Sequence, residues 1–118
     1  MRVPLDRFVK QVVGSGLMSA DEIAPFVAGL PGDKELQDGE QLARELVWHK
    51  KLTAYQAAEI YGGRGKSLVL GNYLVLDKLG EGGMGVVLKA EHRRMERHVA
   101  LKVLSSKVVR SPEALQRF

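Results

Sequence analysis

The feature that most constrains this chain is a change in the period of its apolar residues near residue 62. Before that point the spacing is helical. Leu5, Phe8, Val9, Val12 and Val13 form one stripe of LDRFVKQVV. Ser19 followed by Glu22 has the spacing of a capping box and opens a helix with Ile23, Phe26 and Val27 on its apolar face. Pro25 inside that segment predicts a short or kinked helix, because proline lacks the N–H that the helix ladder needs. Asp38 can cap a third helix with Leu42, Leu46 and Val47 as its apolar face. Thr53 and Gln56 repeat the capping box before AYQAAEIY, and Gly62 is a plausible stop.

These segments repeat at an offset of 34 residues. Met18-Ser19-Ala20 aligns with Leu52-Thr53-Ala54, Glu22 with Gln56, and Phe8 with Leu42. Each copy reads as helix, turn, helix. Neither copy can bury its apolar face alone, so residues 1–61 are expected to pack as one helical module of two helix-turn-helix units. Its expected role is structural or docking, since it gathers no convergent polar residues of the kind a ligand site needs.

Residues 62–71 are glycine-rich and read as a linker to a second domain at residues 72–118. Gly65-Lys66-Ser67 resembles the end of a Walker A loop, but that motif needs a glycine where Ile60 stands. Beyond the linker, NYLVLDKL, VVLKAE and VALKVL are rich in strand formers. The first two flank a glycine turn and predict a hairpin; the third is expected to pair antiparallel with the second. Ser111-Pro112-Glu113 is a helix start leading into ALQRF. The expected fold class is therefore α+β: a small N-terminal helical bundle, then a partial antiparallel sheet and the start of a helix. A three-stranded sheet with one uncovered face and an unpaired edge is expected to be loosely ordered by itself.

Composition narrows the function classes. The 118 residues contain no cysteine, which excludes disulfides and thiolate metal sites. No apolar run approaches the roughly 20 residues of a membrane span, and the first ten residues lack a signal-peptide core. A cytoplasmic protein is the expectation. The net charge is −2 over residues 1–60 and +6 over residues 61–118. Arg93, Arg94 and Arg97 crowd one loop, which reads as solvated; no aromatic stands beside them to stack a base, so nucleic acid is not an expected partner. His49, His92 and His98 have no metal-ligand spacing and no metal site is expected.

The chemistry-bearing motif is Gly80-Glu81-Gly82-Gly83-Met84-Gly85-Val86-Val87, a full G-x-G-x-x-G-x-V. Glycines let a backbone approach phosphate oxygens closely and aim amide N–H groups at them. A Rossmann loop with the same spacing would join a strand to a helix. Here a β-branched run follows, so the loop joins two strands. In Val99-Ala100-Leu101-Lys102, alternation puts Ala100 and Lys102 on one face, leaving room for a flat base and supplying a cation for phosphates.

Together these residues resemble the protein kinase family, specifically the bacterial serine/threonine kinases of eukaryotic type. The resemblance covers LGEGGMGVV, the hairpin, VALK and the SPEALQRF helix start, residues 72–118. It implies signalling enzymes that transfer the γ-phosphate of ATP to protein Ser/Thr. Leu79 and Val87 would then sandwich the adenine with Ala100, the amides from Gly80 to Gly85 would cover the phosphates, and Lys102 would hold the α- and β-phosphates. Met84, at the loop tip, would be mobile. The family's catalytic and metal-binding aspartates do not occur among Asp6, Asp21, Asp33, Asp38 and Asp77. Arg94 of His92-Arg93-Arg94 cannot replace a proton-accepting aspartate. The helix glutamate that pairs with the lysine is expected beyond Phe118, and Glu113 sits too early for that role. The chain therefore reads as an N-terminal fragment without catalysis of its own, with Mg²⁺ belonging only to an intact kinase. The alternative reading is a stand-alone helical interaction module, docking a protein partner, with a vestigial nucleotide loop.

Overall fold

A computed structural model of the chain describes residues 3–30, 36 and 38–104. The expected helix from Ser111 lies outside the described residues. The fold class is α+β, and the chain divides into two compact units, residues 1–71 and 72–118.

The first unit contains α1 (Leu5–Ser15), α2 (Ala20–Ala28), α3 (Gly39–Trp48) and α4 (Ala54–Tyr61). The repeat survives in three dimensions. The first residues of α1 and α3, and of α2 and α4, are each 34 apart. The same repeat positions are buried in both copies: Phe8 and Leu42, Val12 and Leu46, Met18 and Leu52, Ile23 and Ala57. Both capping boxes form. The Glu22 N–H donates to Ser19 Oγ at 3.2 Å while the Ser19 N–H donates to Glu22 Oε1 at 3.0 Å. Thr53 and Gln56 do the same at 3.1 and 2.9 Å. Asp38 caps α3 by accepting from the Gln41 N–H at 3.0 Å. Helix α2, with Pro25 in it, is short as expected, at 9 residues.

The two copies lock together where α3 meets α1. The Gly39 N–H donates to the Val3 carbonyl at 2.8 Å, and a Cβ at Gly39 would lie 2.6 Å from Phe8 Cβ. Only a residue without a side chain lets the helices approach so closely there. Tyr61 of α4 accepts from the Val3 N–H at 3.1 Å and tilts its ring against Phe8, centroids 5.9 Å apart.

The linker expected at residues 62–71 is corrected. Gly65–Leu68 forms a short 3-10 helix packed against α1 and α4, and the compact unit extends to Gly71. Leu68 is completely buried. Gly65 is buried too; a Cβ there would lie 3.1 Å from Ser15 Cβ and 3.2 Å from Ile60 Cγ1. The physical reason is the apolar run that follows the glycines: burying Leu68 outweighs the freedom of the glycines before it. Arg64 pins the entry, donating to Glu59 at 2.8 Å. A two-residue strand β1 (Val69–Leu70) closes the unit.

The second unit is an antiparallel meander of β2 (Tyr73–Gly82), β3 (Gly85–His92) and β4 (His98–Leu104). Its buried side chains are Val75, Leu88 and Ala90, on one face. Strand β2 continues into the glycine motif as far as Gly82, so the loop narrows to a two-residue turn at Gly83-Met84. Two bulges, at Leu76 and Leu79, interrupt its pairing with β3. His92 organises the β3–β4 turn: its Nδ1 accepts from the N–H groups of Arg94 and Met95, both at 3.2 Å. Its ring packs edge-on against Tyr73 at 5.1 Å.

Candidate nucleotide site

The register of the sheet brings the motif residues into one row. Gly80 pairs with Val87 across β2 and β3, and Val87 pairs with Lys102 across β3 and β4. Lys89 pairs with Ala100 two residues further along. Residues directly opposite, and residues two apart, share a face. Val87, Ala100 and Lys102 therefore lie on one face, and all three are at least partly exposed. The buried Leu88 and Ala90 lie on the other.

Beside this row lies a concavity of about 390 Å³. It is lined by Gly80, Glu81, Gly82, Gly83, Met84, Gly85, Val86 and Val87, with Lys102 and Val103 from β4. Nine of the eleven sequence-predicted residues thus converge. Leu79 and Ala100 do not line it. Leu79 sits in the bulge between Lys78 and Gly80 and is 58% exposed. Ala100 lies further along the same face as Lys102.

The four glycines of the loop differ in what the fold asks of them. Gly85 has φ +140°, and a Cβ there would collide with the Val103 carbonyl oxygen. The fold requires glycine at that position, because β3 and β4 close up on it. Gly80, Gly82 and Gly83 are different: a Cβ on any of them would meet nothing within 4 Å, and none has the left-handed backbone that favours glycine. Folding does not explain these three.

The concavity carries one acidic and one basic side chain, Glu81 and Lys102. Glu81, the loop's acid, is held by Lys78, whose Nζ donates to Glu81 Oε2 at 2.8 Å. That hydrogen bond, and then the lysine's charge, lower the Glu81 pKa below its ordinary value. Lys102 supplies the cation at the concavity itself. Among the described residues no three acidic, histidine or cysteine side chains are grouped as metal ligands.

Two further features were not read from the sequence. One is an apolar groove of about 620 Å³ between α3 and α4, lined by Ala43, Val47, Trp48, Ala57 and Tyr61. Trp48 is 77% exposed on it. Its helical offset from Val47 was the available signal, but a tryptophan beside an apolar stripe is normally read as core. The other is a cationic concavity in which Lys66 takes part. No helix among the described residues is long and apolar enough to cross a membrane. Compared with family models, curated proteins and solved structures, the chain matches none of them.

Proposed function

We propose that residues 72–118 are the beginning of a protein-kinase ATP-binding lobe and that the intact enzyme transfers the γ-phosphate of ATP to protein Ser/Thr. The observation that carries the reading is the row Gly80–Val87–Lys102 beside three glycines that the fold does not require. In this reading Val87 and Ala100, on one face of the sheet, offer an apolar seat to the adenine. The loop backbone covers the phosphates, where a side chain at Gly80, Gly82 or Gly83 would intrude. Lys102 orients the α- and β-phosphates as a point charge. None of the chain's aspartates stands in the family's catalytic-loop or metal-binding motif, and this chain alone is proposed to bind and not to catalyse.

The test is equilibrium binding of ATP to the 118-residue chain, read by the amide resonances of Gly80 to Val87. ATP is expected to shift them saturably, and Lys102→Ala is expected to weaken binding about tenfold, the loss of one charge-assisted contact. Unchanged affinity in Lys102→Ala, or shifts absent from the glycine loop, would sink the reading.

The exposed Trp48 and its apolar groove favour a second role for the helical unit, docking a protein partner. Trp48→Ala should then abolish capture of that partner without altering the fold. Capture that is indifferent to Trp48 would remove this role.

A further inference from the structure

The glycine loop brings an acid, Glu81, to the concavity proposed to hold phosphates. An ionised carboxylate there opposes each phosphate that enters. The sheet sets it to one side. Glu81 pairs with Val86, and Lys102 pairs with Val87. Residues directly opposite share a face and neighbours along a strand do not, so Glu81 and Lys102 belong to opposite faces. Glu81 stands between two glycines and beside the turn, where the backbone has latitude. A side-chain partner is what can hold its carboxylate in place.

Lys78 is that partner. It pairs with Leu88, two residues from Val86, and so lies on the Glu81 face. In an unbroken strand, residues three apart point to opposite faces. Leu79 is the extra residue of a bulge between the Lys78–Leu88 and Gly80–Val87 pairs, and its insertion turns Lys78 and Glu81 to the same side. The Lys78 Nζ then donates to Glu81 Oε2 at 2.8 Å. Lys78 itself does not line the concavity. Lys78 is also the one charge that lowers the Glu81 pKa; Lys102 has no share in it.

Stability does not explain the arrangement. Both side chains of the pair are exposed, where an ion pair contributes little. Leu79, whose insertion lets them meet, is exposed as well, so the bulge does not serve to bury it.

We propose that Lys78 is a positioning residue of the nucleotide site: paired with Glu81 across the Leu79 bulge, it offsets the loop's negative charge and holds the carboxylate on the face away from Lys102, clear of the phosphates of ATP. This role rests on the nucleotide reading and adds to it a residue that touches no nucleotide.

The test is equilibrium binding of ATP to the 118-residue chain and to its Lys78→Gln, Lys78→Arg, Glu81→Gln and Lys78→Gln/Glu81→Gln variants, at low and high ionic strength. Hydrogen exchange at the β3–β4 amides checks that each variant keeps the sheet, with Lys78→Met as a second neutral variant. Lys78→Gln is expected to weaken ATP about fivefold at low ionic strength and less at high, the effect of an uncompensated charge several ångströms from the phosphates. Lys78→Arg, which restores the pair, should recover the affinity. In the Glu81→Gln background, Lys78→Gln should change affinity by less than about twofold. An equal loss in both backgrounds would mean that the lysine acts on the phosphates by its own charge, and overturns the proposal. So would an unweakened Lys78→Gln in a chain whose ATP binding still falls on Lys102→Ala, a result that leaves the nucleotide reading standing. ATP binding that is absent, or indifferent to Lys102→Ala, sinks that reading and this role with it.

Discussion

Leu68→Ala separates a linker from a packed segment. Leu68 is completely buried against the first unit, in a stretch whose glycines suggest freedom. Removing three carbons forfeits about 0.8 kcal/mol each in transfer free energy, and the cavity left behind adds more, so a loss of about 3 kcal/mol is expected. A 71-residue unit has a total stability of roughly 4–10 kcal/mol, so this is a large fraction of it. The assay is urea denaturation followed by helical circular dichroism, which reports the first unit because all four described α-helices belong to it. Trp48, the chain's one tryptophan, gives a second probe in α3. A marked fall in the midpoint with unchanged slope is expected. A midpoint within experimental error of the parent would show that residues 62–71 are a linker after all, and that Leu68 contributes nothing to the core.

Three further outcomes test the sheet. Gly85→Ala should destabilise the hairpin by about 3 kcal/mol, combining a collision with the Val103 carbonyl and a backbone that resists a side chain; hydrogen exchange at the β3–β4 amides measures it. Gly83→Ala should leave that protection within about 0.5 kcal/mol of the parent, since it meets no atom, yet weaken ATP binding. Lys78→Gln should raise the Glu81 pKa back toward its ordinary value, read by a carboxyl titration. Because the folded Glu81 pKa is depressed, the pair's contribution is present above the ordinary carboxylate range and is lost as pH falls through the lowered value. Both side chains are exposed, so the effect on stability should be small.

The two capping boxes, the Asp38 cap and the buried positions Phe8, Val12, Ile23, Leu42 and Leu46 were legible from the sequence, because each depends on residues three or four apart in the chain. So was the face shared by Ala100 and Lys102, because strand alternation is a property of any extended backbone. Several outcomes depended on partners distant in sequence. Leu68 is buried because α1 and α4 leave a gap that it fills, and its own neighbourhood of glycines and Lys66 says otherwise. The distinction between Gly85 and the other three loop glycines depends on where the Val103 carbonyl stands, 18 residues later. The kinase resemblance placed Leu79 beside Val87, but a bulge takes it out of the row. The cationic concavity joins Arg7 and Lys10 to Lys66 across more than fifty residues of chain. Local spacing determined the elements and the faces of each; only the packing of one element on another decided which glycines the fold requires, where the first unit ends and which charges converge.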